Sequence, residues 1–183
     1  PASVQEMCDF VPLAFELAFK YRTPALILSD GIIGQMMEKV TMPEQTPRLT
    51  NEEIKEKFGA WATLGKPASR ERNIITSLEL DPNKQEKHNI KLQAKYKQMC
   101  EEEVRYEMIN CEDAEYVFVA YGSSARIAQK AMEQARAKGI KAGLFRLITL
   151  YPFPMKELNK LADQVKGFLA VEMSAGQMIE DVK

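Results

Sequence analysis

The sequence is poor in the residues from which most metal and nucleophile sites are made. Its 183 residues contain three cysteines, Cys8, Cys100 and Cys111, and a single histidine, His88. The cysteines lie far apart and form no CxxC pair, which excludes a locally encoded zinc site or iron–sulfur cluster and any disulfide ladder. Free thiols suit a reducing compartment, so a cytoplasmic location is expected. His88 has no Ser or Cys pattern beside it, and acid–base work needs a positioned partner. Excess charge of one sign is missing too. A net charge of −1 gives no reason to expect nucleic acid or an anionic membrane surface as partner. No apolar run approaches the roughly 20 residues of a bilayer span, and no GxGxxG or Walker lysine is present. Pro1 is not an initiator Met and GQMIEDVK stops in a helical pattern, so the chain is expected to be a piece of a longer one.

What is present is an ordinary globular mixture, 45% apolar and 28% charged, in three textures. Residues 1–40 read as helix, turn and strand. Ser3 and Glu6 have capping-box spacing, Met7, Val11, Ala14, Phe15 and Ala18 share a face, and Pro12 predicts a kink or two short helices. Thr23-Pro24 stops the helix, and ALILSDG follows as a short buried strand. Residues 41–115 read as a connector. A capping box at Thr50 and Glu53 opens a short helix ending near Gly59, and residues 60–80 run extended. Asp81-Pro82 starts a helix of roughly 26 residues, reaching about Ile109 and some 40 Å long. Residues 116–183 alternate strand and helix: YVFVAYG, a helix to Gly139, IKAGLFRLIT, a second helix, GFLAVEM, then a last helix from a Ser174–Gln177 capping box. That alternation predicts an α/β fold, a parallel sheet with right-handed helical crossovers.

In such a sheet, sites form beyond the carboxyl ends of the strands. Gly122-Ser123-Ser124 could offer backbone N–H groups to an anion, although a plain Ser N-cap explains it as well. Arg126 stands in a first helical turn, where the dipole disfavours a cation. An acidic partner across an interface, a bound anion or simple solvent exposure would each account for it. Arg146, set in a buried strand, calls for a carboxylate, and Glu172 on the following strand is the expected partner in a structural ion pair. Asp30 reads as a turn-stabilising residue at a strand tip. Gln177 is accounted for by the capping box.

Four stretches occur in the order found in one family: AFELAFKYRTPALILSDGIIGQMMEKV, YVFVAYGSSARIAQKA, RLITLYPFP and VEMSAGQMIEDV. The chain resembles the pyrimidine-domain-bearing subunit of a 2-oxoacid:ferredoxin oxidoreductase. SDGIIGQMMEKV and NIITSLELDPNKQEKHNIKLQAKY are most similar to the type acting on 3-methyl-2-oxobutanoate, or 2-ketoisovalerate. The resemblance implies that residues 1–40 end a thiamine-pyrimidine domain and 41–115 form a helical connector. Residues 116–183 would then be a transketolase C-terminal-like domain, incomplete at its end. It also implies oxidative decarboxylation of a 2-oxoacid with coenzyme A and ferredoxin, using thiamine diphosphate, magnesium and iron–sulfur clusters of the whole complex. The implied partners are a thiamine diphosphate-binding subunit, a ferredoxin-like iron–sulfur subunit and ferredoxin. No catalytic, cofactor-binding or metal-binding residue carries over to this chain, which is expected to bind none of these groups alone. Tyr151 and Phe153, each followed by a proline, become a rigid aromatic wedge for a neighbour, with Gly122, Ser123, Ser124, Arg126 and Gln177 as further interface or anion contacts. A free-standing nucleotide- or acyl-CoA-binding α/β domain and a ligand-free docking module are the competing readings.

Overall fold

A computed structural model describes all 183 residues. They divide into two compact units, one made of Pro1–Met42 with Gln93–Lys183 and the other of Pro43–Leu92.

The first unit opens with α1 (Val4–Tyr21), a single helix with Pro12 inside it, so of the kink or two short helices expected the two helices do not form. The Ser3 hydroxyl caps it by accepting from the Glu6 amide at 3.1 Å. Glu6 reaches back one residue further than a standard box and accepts from the Ala2 amide at 2.7 Å. Arg22 closes the helix in the left-handed conformation. The run 23–30 forms no strand, contrary to the expectation for ALILSDG. A strand is stable only with a paired neighbour, and no other strand of the chain lies alongside. A five-residue helix, α2 (Gly31–Gln35), follows with Asp30 as its N-cap.

The second unit contains α3 (Asn51–Phe58), where Thr50 and Glu53 form the expected reciprocal capping box. Trp61 meets Phe58 edge-on at 5.5 Å, and the Asn73 side-chain amide donates to Ala60 O at 2.8 Å. Ile74, Ile75, Leu78 and Leu80 stay exposed. Helix α4 (Pro82–Glu102) begins here. Asp81 caps it by accepting from the Asn83 amide at 2.9 Å, as the Asp-Pro pair suggests.

Helix α4 ends seven residues before the predicted limit, because Tyr106–Ile109 forms strand β1. The sheet continues with β2 (Tyr116–Tyr121), β3 (Ala142–Leu147) and β4 (Gly167–Val171) in the order β1-β3-β2-β4. Both β3 and β4 lie parallel to β2, as the alternation predicts, while β1 is an antiparallel edge on β3. Three helices complete the unit: α5 (Gly122–Ala137), α6 (Met155–Ala162) and α7 (Met178–Val182). Ala125 and Ala128 of α5 pack with Ala120 and Leu144 on one face of the sheet. Leu158, Leu161 and Met178, from α6 and α7, pack with Val117, Val119, Phe145 and Leu147 on the other. The period-two alternation of strand side chains supplies both layers. Phe145 also stacks on Tyr106 at 5.1 Å. Gly143 is obligatory in β3, since a Cβ there would come within 2.9 Å of Asn110 O and 3.1 Å of Cys111 Sγ.

Candidate functional site

The carboxyl ends of β2 and β3 face α1 and the run 23–28 across a groove of about 380 Å³. Phe10, Leu13, Leu17, Ile27 and Leu150 give it an apolar lining, and Glu103 and Arg105 contribute charge. Open parallel sheets place their sites at strand tips of this kind.

The strand RLITLYPFP forms one wall. Thr149 is fastened to the start of β1: its amide donates to Arg105 O at 3.0 Å and its hydroxyl accepts from the Arg105 amide at 3.0 Å. Pro152 and Pro154 are buried, and the Tyr151–Pro152 peptide is cis. The two aromatics separate. Phe153 is half-buried and packs against the chain's own core cluster. Tyr151 remains exposed at the edge of the groove. One ring therefore packs inward and the other faces outward.

Arg146 does not pair with Glu172. Strand β2 lies between β3 and β4, so the two residues are not on neighbouring strands. Arg146 instead binds Glu107, directly opposite on β1, at 2.7 Å, and Glu6 of α1. Burial lowers the basicity of the guanidinium, and the hydrogen bonds to Glu6 and Glu107 more than restore it, leaving its pKa above the usual value. Glu172 has a different task. It accepts from the Met178 amide at 3.0 Å, the Ile179 amide at 3.2 Å and the Ser174 hydroxyl. Glu172 is thus the cap of α7, and the Ser174–Gln177 capping box does not form. Gln177 is exposed and makes no capping bond. A carboxylate outcompetes Gln because its charge adds to the dipole interaction.

The Gly122-Ser123-Ser124 turn also departs from expectation. Neither serine is an N-cap; both are buried within the first turn of α5, after a glycine at φ +56°. The amide of Ser123 donates to Asp30 Oδ2 at 3.2 Å, while Asp30 Oδ1 accepts from the Ile33 amide at 2.9 Å. One carboxylate therefore caps two helices, α2 and α5. The Ser123 hydroxyl beside it and the converging amides hold the Asp30 carboxyl below its ordinary pKa. Arg126, exposed, finds an acidic partner within the chain. It donates to Glu38 Oε1 at 2.8 Å and to Ala2 O at 3.2 Å. Glu38 also accepts from the Val4 amide at 2.9 Å. The anion positions of α5 are thus filled by the chain's own carboxylates.

A second polar cluster escaped the sequence reading. Glu103, only 5% exposed, accepts from Lys20 at 2.7 Å and from the Tyr21 hydroxyl at 2.8 Å, and pairs with Arg105 at 3.1 Å. Burial pushes the Glu103 carboxyl up, but these donors together bring it below its usual range. Burial and the facing carboxylates raise the Tyr21 phenol to about 12. The only sequence signal was a Glu run at a helix end, which solvation explains equally well. His88 is exposed on α4 in the other unit.

These residues do not fit thiamine diphosphate with its metal. No three His, Cys, Asp or Glu side chains converge on a cation position, and Asp30 occupies the helix N-terminus where phosphate oxygens would sit. What the geometry does is join: carboxylates of residues 1–42 seat on basic and amide groups at the sheet tips.

Residues 1–121 match the family model "Pyruvate flavodoxin/ferredoxin oxidoreductase, thiamine diP-bdg", and residues 114–183 match "Pyruvate:ferredoxin oxidoreductase core domain II". The chain is 49% identical over its whole length to the ketoisovalerate oxidoreductase subunit VorB of Methanothermobacter marburgensis. It is 33% identical to the 2-oxoglutarate synthase subunit KorA of Methanocaldococcus jannaschii, again over its whole length. The match spans 50% of the first relative and 54% of the second, so the chain covers about half the length of these proteins. A solved 2-oxoglutarate:ferredoxin oxidoreductase from Magnetococcus marinus shares the fold, with a TM-score of 0.54 at 19% identity over 61% of this chain and 21% of that one. No helix is long and apolar enough to cross a membrane. The chain belongs to the pyruvate flavodoxin/ferredoxin oxidoreductase family, and it contains a sequence matching that family's thiamine diphosphate-binding domain followed by one matching its core domain II.

Proposed function

We propose that this chain forms the joining part of a subunit in a thiamine diphosphate-dependent 2-oxoacid:ferredoxin oxidoreductase, with a structural and interface role rather than a chemical one. Residues 1–40 are the end of the thiamine-pyrimidine domain, 41–115 the connector and 116–183 the transketolase C-terminal-like domain. The observation that carries this reading is the pair Asp30 and Glu38, which seat residues 1–42 on Ser123 and Arg126 of α5. The same pair weakens the alternative of a free-standing nucleotide- or acyl-CoA-binding domain, because the seat for a ligand phosphate is taken.

The reaction of the complex is oxidative decarboxylation of a branched-chain 2-oxoacid, 2-ketoisovalerate, to acyl-CoA and carbon dioxide with reduction of ferredoxin. The preference for this substrate is supported by identities of 46–49% to two VorB subunits, against 31–33% to the KorA subunits. When bound in the complex, thiamine diphosphate supplies a stabilised carbanion, and iron–sulfur clusters carry the electrons away. Other subunits hold these groups and the magnesium, and the assembly works in the cytoplasm. Within this chain, Arg146, Glu6 and Glu107 tie α1 to two strands, and Tyr151 presents a ring toward a neighbouring subunit.

The test has two arms. Calorimetry of the 183-residue chain with thiamine diphosphate and magnesium should give no binding, and micromolar binding would sink the joining role. A subunit of the relatives' full length carrying this sequence, assembled with its partner subunits, should reduce ferredoxin fastest with 2-ketoisovalerate. Faster turnover of pyruvate or 2-oxoglutarate would overturn the substrate assignment.

A further inference from the structure

Helix α4 carries a row of charge that none of the contacts described above uses. Lys84, Lys87, His88 and Lys91 follow at spacings i, i+3, i+4 and i+7, which places them on one face over about 10 Å. All four are exposed, and their side chains have no hydrogen-bond or ion-pair partner in the chain. Glu86, the one acid within residues 84–91, is two positions from Lys84 and so lies on the other side of the helix. Lys95, the next in the row, differs: it is half-buried and donates to Tyr21 O at 3.3 Å. Two physical effects work against such a row. Lys87 with Lys91, and Lys91 with Lys95, are like-charged pairs one turn apart. The helix also has no acid in its first turn and no base in its last, the reverse of what its dipole favours. A helix charged only for its own stability mixes the signs.

We infer that the face of α4 bearing Lys84, Lys87, His88 and Lys91 is a docking surface for an acidic face of another subunit, one presenting carboxylates about one helical turn apart. Such carboxylates offset both effects at once, the repulsion within the row and the mismatch with the dipole. The chain as a whole has a net charge of −1, so the row is a local feature and not part of a basic track for nucleic acid. The run leading into α4, in the same compact unit, exposes Ile74, Ile75, Leu78 and Leu80 by 67–83%. Apolar side chains next to a charged row do nothing for a phosphate backbone, but they match the apolar centre and polar rim of a protein interface. They also favour a resident subunit over a passing carrier, because apolar surface of this kind needs lasting cover. Opposite the row α4 carries Glu86 and Asn89, not the apolar face by which a helix lies in a membrane surface. The inference rests on the proposed multi-subunit assembly.

Carbodiimide coupling, which joins a lysine only to a carboxylate in contact with it, is the test. It is applied to a subunit of the relatives' full length carrying this sequence, assembled with its partner subunits and ferredoxin, and is read by peptide mass spectrometry. Lys84, Lys87 and Lys91 should be linked to Asp or Glu of another subunit. The triple variant Lys84→Glu, Lys87→Glu, Lys91→Glu should weaken assembly at least about tenfold in sedimentation velocity, with the far-UV circular dichroism unchanged. The triple variant Lys84→Arg, Lys87→Arg, Lys91→Arg should keep assembly and lose the links, since a guanidinium holds the charge but does not couple. An assembly that forms with no link from the row, or that the three glutamates leave as tight as before, would overturn this inference alone. Links to ferredoxin only would overturn it in favour of the electron carrier, and links to a second copy of this chain in favour of a homodimer contact. A subunit that joins no other polypeptide would overturn the proposed assembly, and this inference with it.

Discussion

The sheet region from Tyr106 to Val171 and the first 42 residues share one compact unit but are held by different forces. In the sheet, Val117, Val119, Leu144 and Phe145 are wholly excluded from solvent and packed from both faces. In residues 1–42 only Ala2, Tyr21 and Ile33 are buried apolar positions, and the attachments to the sheet run through Glu6, Asp30 and Glu38. The first region carries its own core. The second is an apolar helix and an apolar run fastened by their polar residues, with much of their hydrophobic surface unspent. Dry packing resists salt and pH, whereas carboxylate attachments respond to both.

The largest change expected comes from removing part of the sheet core. Phe145→Ala deletes a ring with no solvent exposure, stacked on Tyr106, and should cost about 3–5 kcal/mol. Urea denaturation followed by far-UV circular dichroism reads it. Loss of residues 1–42 with the sheet intact would contradict the division drawn here.

Acid should act the other way round. The carboxyls of Glu6, Asp30, Glu38 and Glu103 are all held below their ordinary values in the fold, and Glu102 is lowered from 4.5 to about 2. A depressed carboxyl pKa means stabilisation that is complete above the unfolded value and lost as pH falls through the folded one. Residues 1–42 should therefore loosen between about pH 4.5 and pH 2, before the sheet does. Limited pepsin digestion across that window should cut first within 1–42; simultaneous cutting of the sheet would show that the two regions are not held differently.

Arg146→Met should have a smaller effect. The side chain is 11% exposed, but Glu107 is half open to water. Its loss should cost about 2 kcal/mol, below the 3–5 kcal/mol for breaking a fully buried pair. Protease sensitivity in α1 should rise while the denaturation midpoint of the sheet moves little. The least disturbing substitution is Phe15→Ser on the exposed side of α1. It should change stability of the 183-residue chain by under about 0.5 kcal/mol and reduce self-association in sedimentation velocity, because it removes part of an exposed apolar patch.

How much of this was legible beforehand depended on distance along the chain. The Thr50–Glu53 box, the Asp81 cap, the parallel pairing of β2 with β3 and β4, and the stop at Thr23-Pro24 all appear as expected. Each is decided by residues within a few positions or by a repeating pattern. The expected strand ALILSDG does not form because no strand of the chain lies alongside it. The Arg146–Glu172 pair does not form because β3 and β4, consecutive in the sequence, are separated by β2 in the sheet.

The sequence by itself determined where α1, α3 and α4 start and that YVFVAYG, IKAGLFRLIT and GFLAVEM enter the sheet. These depend on capping, periodicity and composition, all of them local. Only the tertiary structure decided that β2 separates β3 from β4, that Glu172 caps α7, and that Asp30 and Glu38 lie against Ser123 and Arg126. Side chains some 90 positions apart meet only after the sheet has ordered the strands. A carboxylate then binds whichever amide or guanidinium the packing brings within about 3 Å.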